Sequence, residues 1–125
     1  MNNLLGIDYG ERYIGVAIKL ENVSVPYAHK VLDAQLDNLN KELTNIIKKN
    51  NINKIVIGYP IGLNTGKTRM SNNVDIFIQD MLKEYDIPIV KIDERMTSKI
   101  LNKSTSKRID DLSALAILET FINNE

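Results

Sequence analysis

An α/β domain on a mixed five-stranded sheet is the fold the sequence predicts. Two observations carry that expectation. Near the start, three runs rich in β-branched and aromatic residues are joined by turns too short for anything but antiparallel pairing. From Leu36 onward, apolar residues at helical spacing alternate with short apolar runs of the kind found inside parallel sheets. The strands read as Leu4 to Asp8, Tyr13 to Leu20 and Val23 to Val31, linked by Gly10-Glu11 and Glu21-Asn22. Leu36, Leu39, Leu43, Ile46 and Ile47 then mark an amphipathic helix ending in Lys48-Lys49-Asn50-Asn51. Lys54 to Gly58 is a short, continuously apolar fourth strand, followed by a loop rich in Gly, Asn and Thr. Val74, Phe77, Ile78, Met81, Leu82 and Tyr85 make a second amphipathic helix, and Ile87 to Asp93 a fifth strand with Pro88 at its start. The last element is a helix from about Ile109 to Ile122, apolar over most of its circumference and therefore expected to pack deeply.

Composition narrows the function. With 125 residues, 43% apolar and 26% charged, the chain fits one domain spanning 1–125 with its own core. Sixteen basic residues balance sixteen acidic ones, so a polyanion must be held by a local patch. Absence of Cys excludes disulfides and thiolate metal sites, and the lone His29 gives no basis for a zinc site or a Ser/His triad. No run approaches the about 20 apolar residues that span a bilayer, and the start lacks a basic segment followed by a long apolar one. The expectation is a cytoplasmic protein with no membrane partner.

The chemistry lies where strands end. Asp8 stands where an apolar strand gives way to a glycine turn, a costly place for an acid unless a cation or a hydrogen-bond donor answers it. In Asp93-Glu94-Arg95, alternation puts Glu94 on the face of Val90 and Ile92, and Asp93 on that of Lys91. Asp110 and Asp111 head the last helix, and helical phase does not choose between them. Three carboxylates converging at one end of such a sheet would suit Mg²⁺ or Mn²⁺. Each acid also has a plainer reading: a turn former at Asp8, a solvated charge cluster at Asp93-Glu94-Arg95, and a helix-dipole partner at Asp110 or Asp111.

Gly6-Ile7-Asp8-Tyr9-Gly10 with Ile14-Gly15-Val16-Ala17, Ile57-Gly58-Tyr59-Pro60, Asp93-Glu94-Arg95-Met96-Thr97, and Ile109-Asp110 with Ser113-Ala114 and Ile117-Leu118-Glu119, together resemble the YqgF (RuvX) family from end to end. The resemblance implies an RNase H-like nuclease with its first strand central, flanked by the second and fourth. It implies metal-assisted phosphodiester hydrolysis in 5′-end maturation of pre-16S ribosomal RNA, with the small-subunit precursor as partner. It also implies that Asp8, Glu94 and Asp110 are the catalytic, metal-holding acids, deciding for Asp110 over Asp111. Arg12, Lys67, Arg69, Arg95, Lys99, Lys103, Lys107 and Arg108 flank the crevice and are read as contacts to backbone phosphates. Alternatives are resolution of branched DNA junctions and a non-catalytic nucleic-acid-binding assembly factor. A third, an actin-like nucleotide clamp, needs two such domains. The chain is read as a monomer or weak homodimer, the latter suiting a junction with two-fold symmetry.

Three departures from the family pattern stand out. Glu11 replaces the usual Thr, the loop after Pro60 is about one residue longer, and the stretch between Thr97 and Lys107 is short. Glu11 is expected either to strengthen metal affinity or to point to solvent.

Overall fold

The computed structural model describes residues 2–62, 66–67, 69–93 and 107–124, as backbone alone at 61–62, 66–67 and 107–111. Strands β1 (Leu4–Asp8), β2 (Tyr13–Lys19) and β3 (Tyr27–Asp33) form an antiparallel meander, and helix α1 (Leu39–Lys49) leads to β4 (Lys54–Tyr59). A small hairpin of β5 (Ile61–Gly62) and β6 (Gly66–Lys67) precedes helix α2 (Arg69–Phe77). Strand β7 (Ile89–Asp93) and helix α3 (Lys107–Asn123) complete the described elements.

The main sheet has the order β3-β2-β1-β4-β7. β1 is central, antiparallel to β2 and parallel to β4, as expected for an RNase H-like sheet. Buried on both faces, β1 and β4 read as near-continuous apolar runs. Alternation divides their side chains between two layers. Leu5, Ile7, Ile55 and Ile57 join the larger core with α1, α2 and the turns after α2. Leu4 and Val56 join a smaller core with Ala17 of β2 and Ala114, Ile117 and Leu118 of α3.

Several boundaries differ from the sequence reading, each for a local reason. The third strand begins at Tyr27, not Val23: Val23 and Val25 lie in an exposed turn, whose Glu21 N–H donates to Asn3 Oδ1 at 2.9 Å. Leu36 is 79% exposed and outside α1. A turn intervenes, in which Asp37 Oδ2 accepts from the Asp33 N–H at 2.7 Å and Asp33 Oδ1 from the Gln35 N–H at 2.9 Å. Only then does Asn38 cap the helix, its side chain accepting from the Lys41 N–H at 3.2 Å. β4 extends one residue further, to Tyr59, and the loop after it contains the β5–β6 hairpin. Helix α2 continues as a π turn over Ile78–Leu82 and a 3₁₀ turn over Lys83–Tyr85, closed by Asp86 at φ 54°. The wide turn leaves Leu82 fully buried and Met81 half-buried. Pro88, lacking an N–H, sits just outside β7 but gives its carbonyl to the Ile55 N–H at 2.9 Å. The last helix begins two residues early, at Lys107. Among the described residues no helix is long and apolar enough to cross a membrane.

Candidate metal and nucleic-acid site

Asp8 closes β1 and is half-buried. It shares its side of the sheet with Leu4 and Gly6, the side covered by α3. The strands flanking it carry glycine at this level: Gly15 pairs with Asp8 on β2, and Gly58 follows Ile57, the β4 partner of Ile7. No side chain therefore flanks the Asp8 carboxylate from β2 or β4 at this level.

Helix α3 is aimed at this end. A Cβ on Gly6 would come within 2.5 Å of Leu118 Cγ and 3.1 Å of the Ala114 carbonyl oxygen, so the helix crosses β1 there at close approach. Lys54, at the opposite end of the sheet, holds its Nζ 5.6 Å from the Phe121 ring centroid. Running from Phe121 back through Ala114, the helix axis travels toward the carboxyl end of β1. Its N-terminal turns, which carry Asp110 and Asp111 in the backbone, therefore lie toward that end. Of the side chains at 107–111, including Lys107 and Arg108, only the backbone is described, as for Lys67 on β6. Glu94, Arg95, Lys99 and Lys103 lie outside the described residues. Alternation on β7 follows the expected sense: Ile92 packs toward α3, while Lys91 faces α2.

Among the described residues no three His, Asp or Glu side chains converge as a metal-ligand set. His29 is on the edge strand β3 beside Tyr27, and burial, then Lys30 and Lys49, hold its pKa below the ordinary value. The donor chemistry at the β1 end is oxygen only, which suits a hard divalent cation.

Two of the expected phosphate-binding arginines are described with their side chains, and each is engaged by an acid. Arg12 reaches Asp33 Oδ2 at 3.4 Å and lies 5.1 Å over the Tyr13 ring. Burial alone would raise the Asp33 pKa, but N–H donation from Gln35 and Leu36 and the Arg12 guanidinium outweigh it and hold it below the usual carboxylate range. Arg69 donates to Glu11 Oε2 at 2.9 Å and is 83% exposed. Each guanidinium has five N–H donors, so a single bond to a carboxylate leaves others for phosphate oxygens.

Comparison with known proteins decides the family. The RuvX family, described as Holliday junction resolvase, matches this chain over residues 2–124. The chain belongs to the RuvX family. A Natranaerobius thermophilus relative named "Putative pre-16S rRNA nuclease" is 30% identical over 133 residues, covering 98% of this chain and 94% of its own. A Pelagibacter ubique relative of the same name is 33% identical over 134 residues, covering 96% and 89%. Thermus thermophilus RuvC in complex with a Holliday junction superposes with TM-score 0.63 at 10% identity, over 99% of this chain and 96% of that one. The fowlpox virus resolvase bound to Holliday junction DNA gives TM-score 0.57 at 12% identity, over 98% and 97%. At these identities the likeness is one of fold.

Within the RuvX family frame, two features escaped the sequence reading. Glu11 faces solvent, one of the two outcomes expected for it, but is not idle there: it accepts from Arg69 and, at 3.4 Å, from Asn73 Nδ2, tying the β1–β2 turn to α2. At the end of β4, Tyr59 Oη donates to Asp75 Oδ2 at 2.8 Å, and Lys91 Nζ lies 3.0 Å from Asp75 Oδ1 and 4.5 Å from the Tyr59 ring centroid. With Ser71 Oγ donating to the Pro60 carbonyl, these contacts fasten α2 to the carboxyl ends of β4 and β7. A carboxylate 16 residues from each partner is the only cue the sequence offered, and no periodicity marks it.

Proposed function

We propose that this chain is a metal-dependent nuclease that hydrolyses phosphodiester bonds in the 5′-end maturation of pre-16S ribosomal RNA. On this reading it works in the cytoplasm on the small-subunit precursor, as a monomer or weak homodimer. Asp8, Glu94 and Asp110 would hold Mg²⁺ or Mn²⁺. What the ion supplies when bound is an activated water and neutralisation of the leaving oxygen. Asp8 contributes a carboxylate fixed by the central strand, while Arg12 and Arg69, steadied by Asp33 and Glu11, grip phosphates on the adjoining turn and helix. Lys67, Arg95, Lys103, Lys107 and Arg108 extend that basic rim. The observation that carries the reading is the placement of Asp8 between Gly15 and Gly58 at the carboxyl end of β1, in a chain of this family.

The test is cleavage of a short single-stranded RNA spanning the 16S 5′ end in Mn²⁺, comparing wild type with Asp8→Asn and Glu94→Gln. Loss of several kcal/mol of charge stabilisation corresponds to an expected drop of about 10³-fold in each variant. Equal rates in all three proteins would end the proposal. The family's description as a resolvase favours a second reading, cleavage of branched DNA. A four-way junction in the same assay separates the two: preference for the junction over RNA would replace the ribosomal role.

A further inference from the structure

Beside the end of β1, between α2 with its π turn and the start of α1, opens a cavity of about 200 Å³. Tyr9, Phe77 and Met81 line it with apolar surface, Ala34 borders it, and Asn73 and Asp80 bring polar atoms to it. Tyr9 directly follows Asp8, and successive side chains of an extended backbone point to opposite faces. Its ring is accordingly turned toward α2, packed on Phe77 with centroids 4.9 Å apart. The cavity starts one residue from the proposed hydrolytic carboxylate, on the other side of the same strand end.

We propose that this cavity receives an unstacked nucleobase of the strand whose phosphate lies at Asp8, an inference that rests on the nuclease reading above. Aromatic surface suits the face of any base, and single-stranded RNA is commonly held by such stacking. The polar atoms suit a base edge: the Asn73 amide both donates and accepts, and the Asp80 oxygens accept from an exocyclic amino group. An aliphatic side chain of a protein partner would satisfy neither, which favours the base as occupant. A continuous duplex keeps its bases stacked and offers nothing to this cavity, so the substrate class is single-stranded, with adenine, cytosine or guanine preferred over uracil at one position.

The experiment scans a short single-stranded RNA with Ca²⁺ in place of the catalytic metal, so that binding is read apart from cleavage. Each position is replaced in turn by 2-aminopurine, for stacking-induced quenching, and by an abasic nucleotide, for affinity. One position next to the cleaved bond should be quenched, and its abasic form should bind about tenfold more weakly. Ala34→Leu, which fills the cavity, should lose the same factor and become indifferent to the abasic change. A flat scan, or an Ala34→Leu protein that binds and discriminates like wild type, overturns the proposal. Should Ala34→Leu fail to fold, the wild-type scan decides alone. RNA cleaved in Mn²⁺ but flat in the scan removes only the base pocket, whereas a position-specific scan without cleavage keeps the pocket and removes the nuclease reading.

Discussion

The two sides of the sheet are filled very differently. Toward α1 and α2 the central strands present Leu5, Ile7, Ile14, Val16, Ile18, Ile55 and Ile57, all fully buried. Toward α3 the same strands present Gly6, Gly15, Ala17 and Gly58, with Leu4 and Val56 the larger exceptions. Branched side chains on one side build a thick core. Their near absence on the other lets a helix lie almost on the strand backbones, its first turn beside the carboxyl end of β1. One side supplies stability, and the other trades apolar volume for close approach at the place where Asp8 stands.

That contrast is open to direct attack. The largest stability loss is expected from Leu5→Ala on the thick side, about 2–5 kcal/mol by denaturant unfolding, with cleavage per folded molecule unchanged. A rate that fell in step with stability would show that the two sides are not separable. Next comes Gly6→Ala on the thin side: one methyl must displace Leu118 or the Ala114 carbonyl, for about 1–3 kcal/mol. Here activity should fall further than stability, if, as proposed, the displaced helix carries a catalytic acid at Asp110. An Ala at this position that costs nothing would show the close approach to be slack.

Acid pH probes the rim between the two sides. The Asp33 pKa is depressed in the folded state, so its contribution is present above the unfolded carboxylate value, about 3.9, and is lost as pH falls through the lower folded value. Melting curves of wild type and Asp33→Asn should therefore differ near neutrality and converge in acid. A constant gap would mean that Asp33 is not the titrating group. The smallest effect belongs to Glu11→Gln, since an exposed pair with Arg69 is worth about 0.2–1 kcal/mol. Its expected signature is weaker RNA binding with a changed salt dependence, with the melting temperature almost unmoved.

How much of this the sequence revealed follows from how local each cause is. β1 was legible to the residue because a buried central strand is a continuous apolar run cut off by Asp8 and Gly10. Val23, Val25 and Leu36 misled, being apolar residues in turns whose course is set by Asn3, Asp33 and Asp37. The π turn after α2 left no trace, since Val74, Phe77, Ile78, Met81 and Leu82 keep helical spacing on either side of it. At the candidate site the position of Asp8 could be read from one strand. The Glu11–Arg69 pair could not, because its partners are 58 residues apart and meet only through packing of α2.

The order of pairing along the sheet also bears on how the chain is made. β1, β2 and β3 are neighbours in both sequence and space, so the first 33 residues can zip into a meander during synthesis, when only short loops need closing. β4 must then travel to the free edge of β1, and α3, made last among these elements, covers the glycine-lined surface. Nascent chains would thus carry a formed meander well before they carry a working hydrolytic centre.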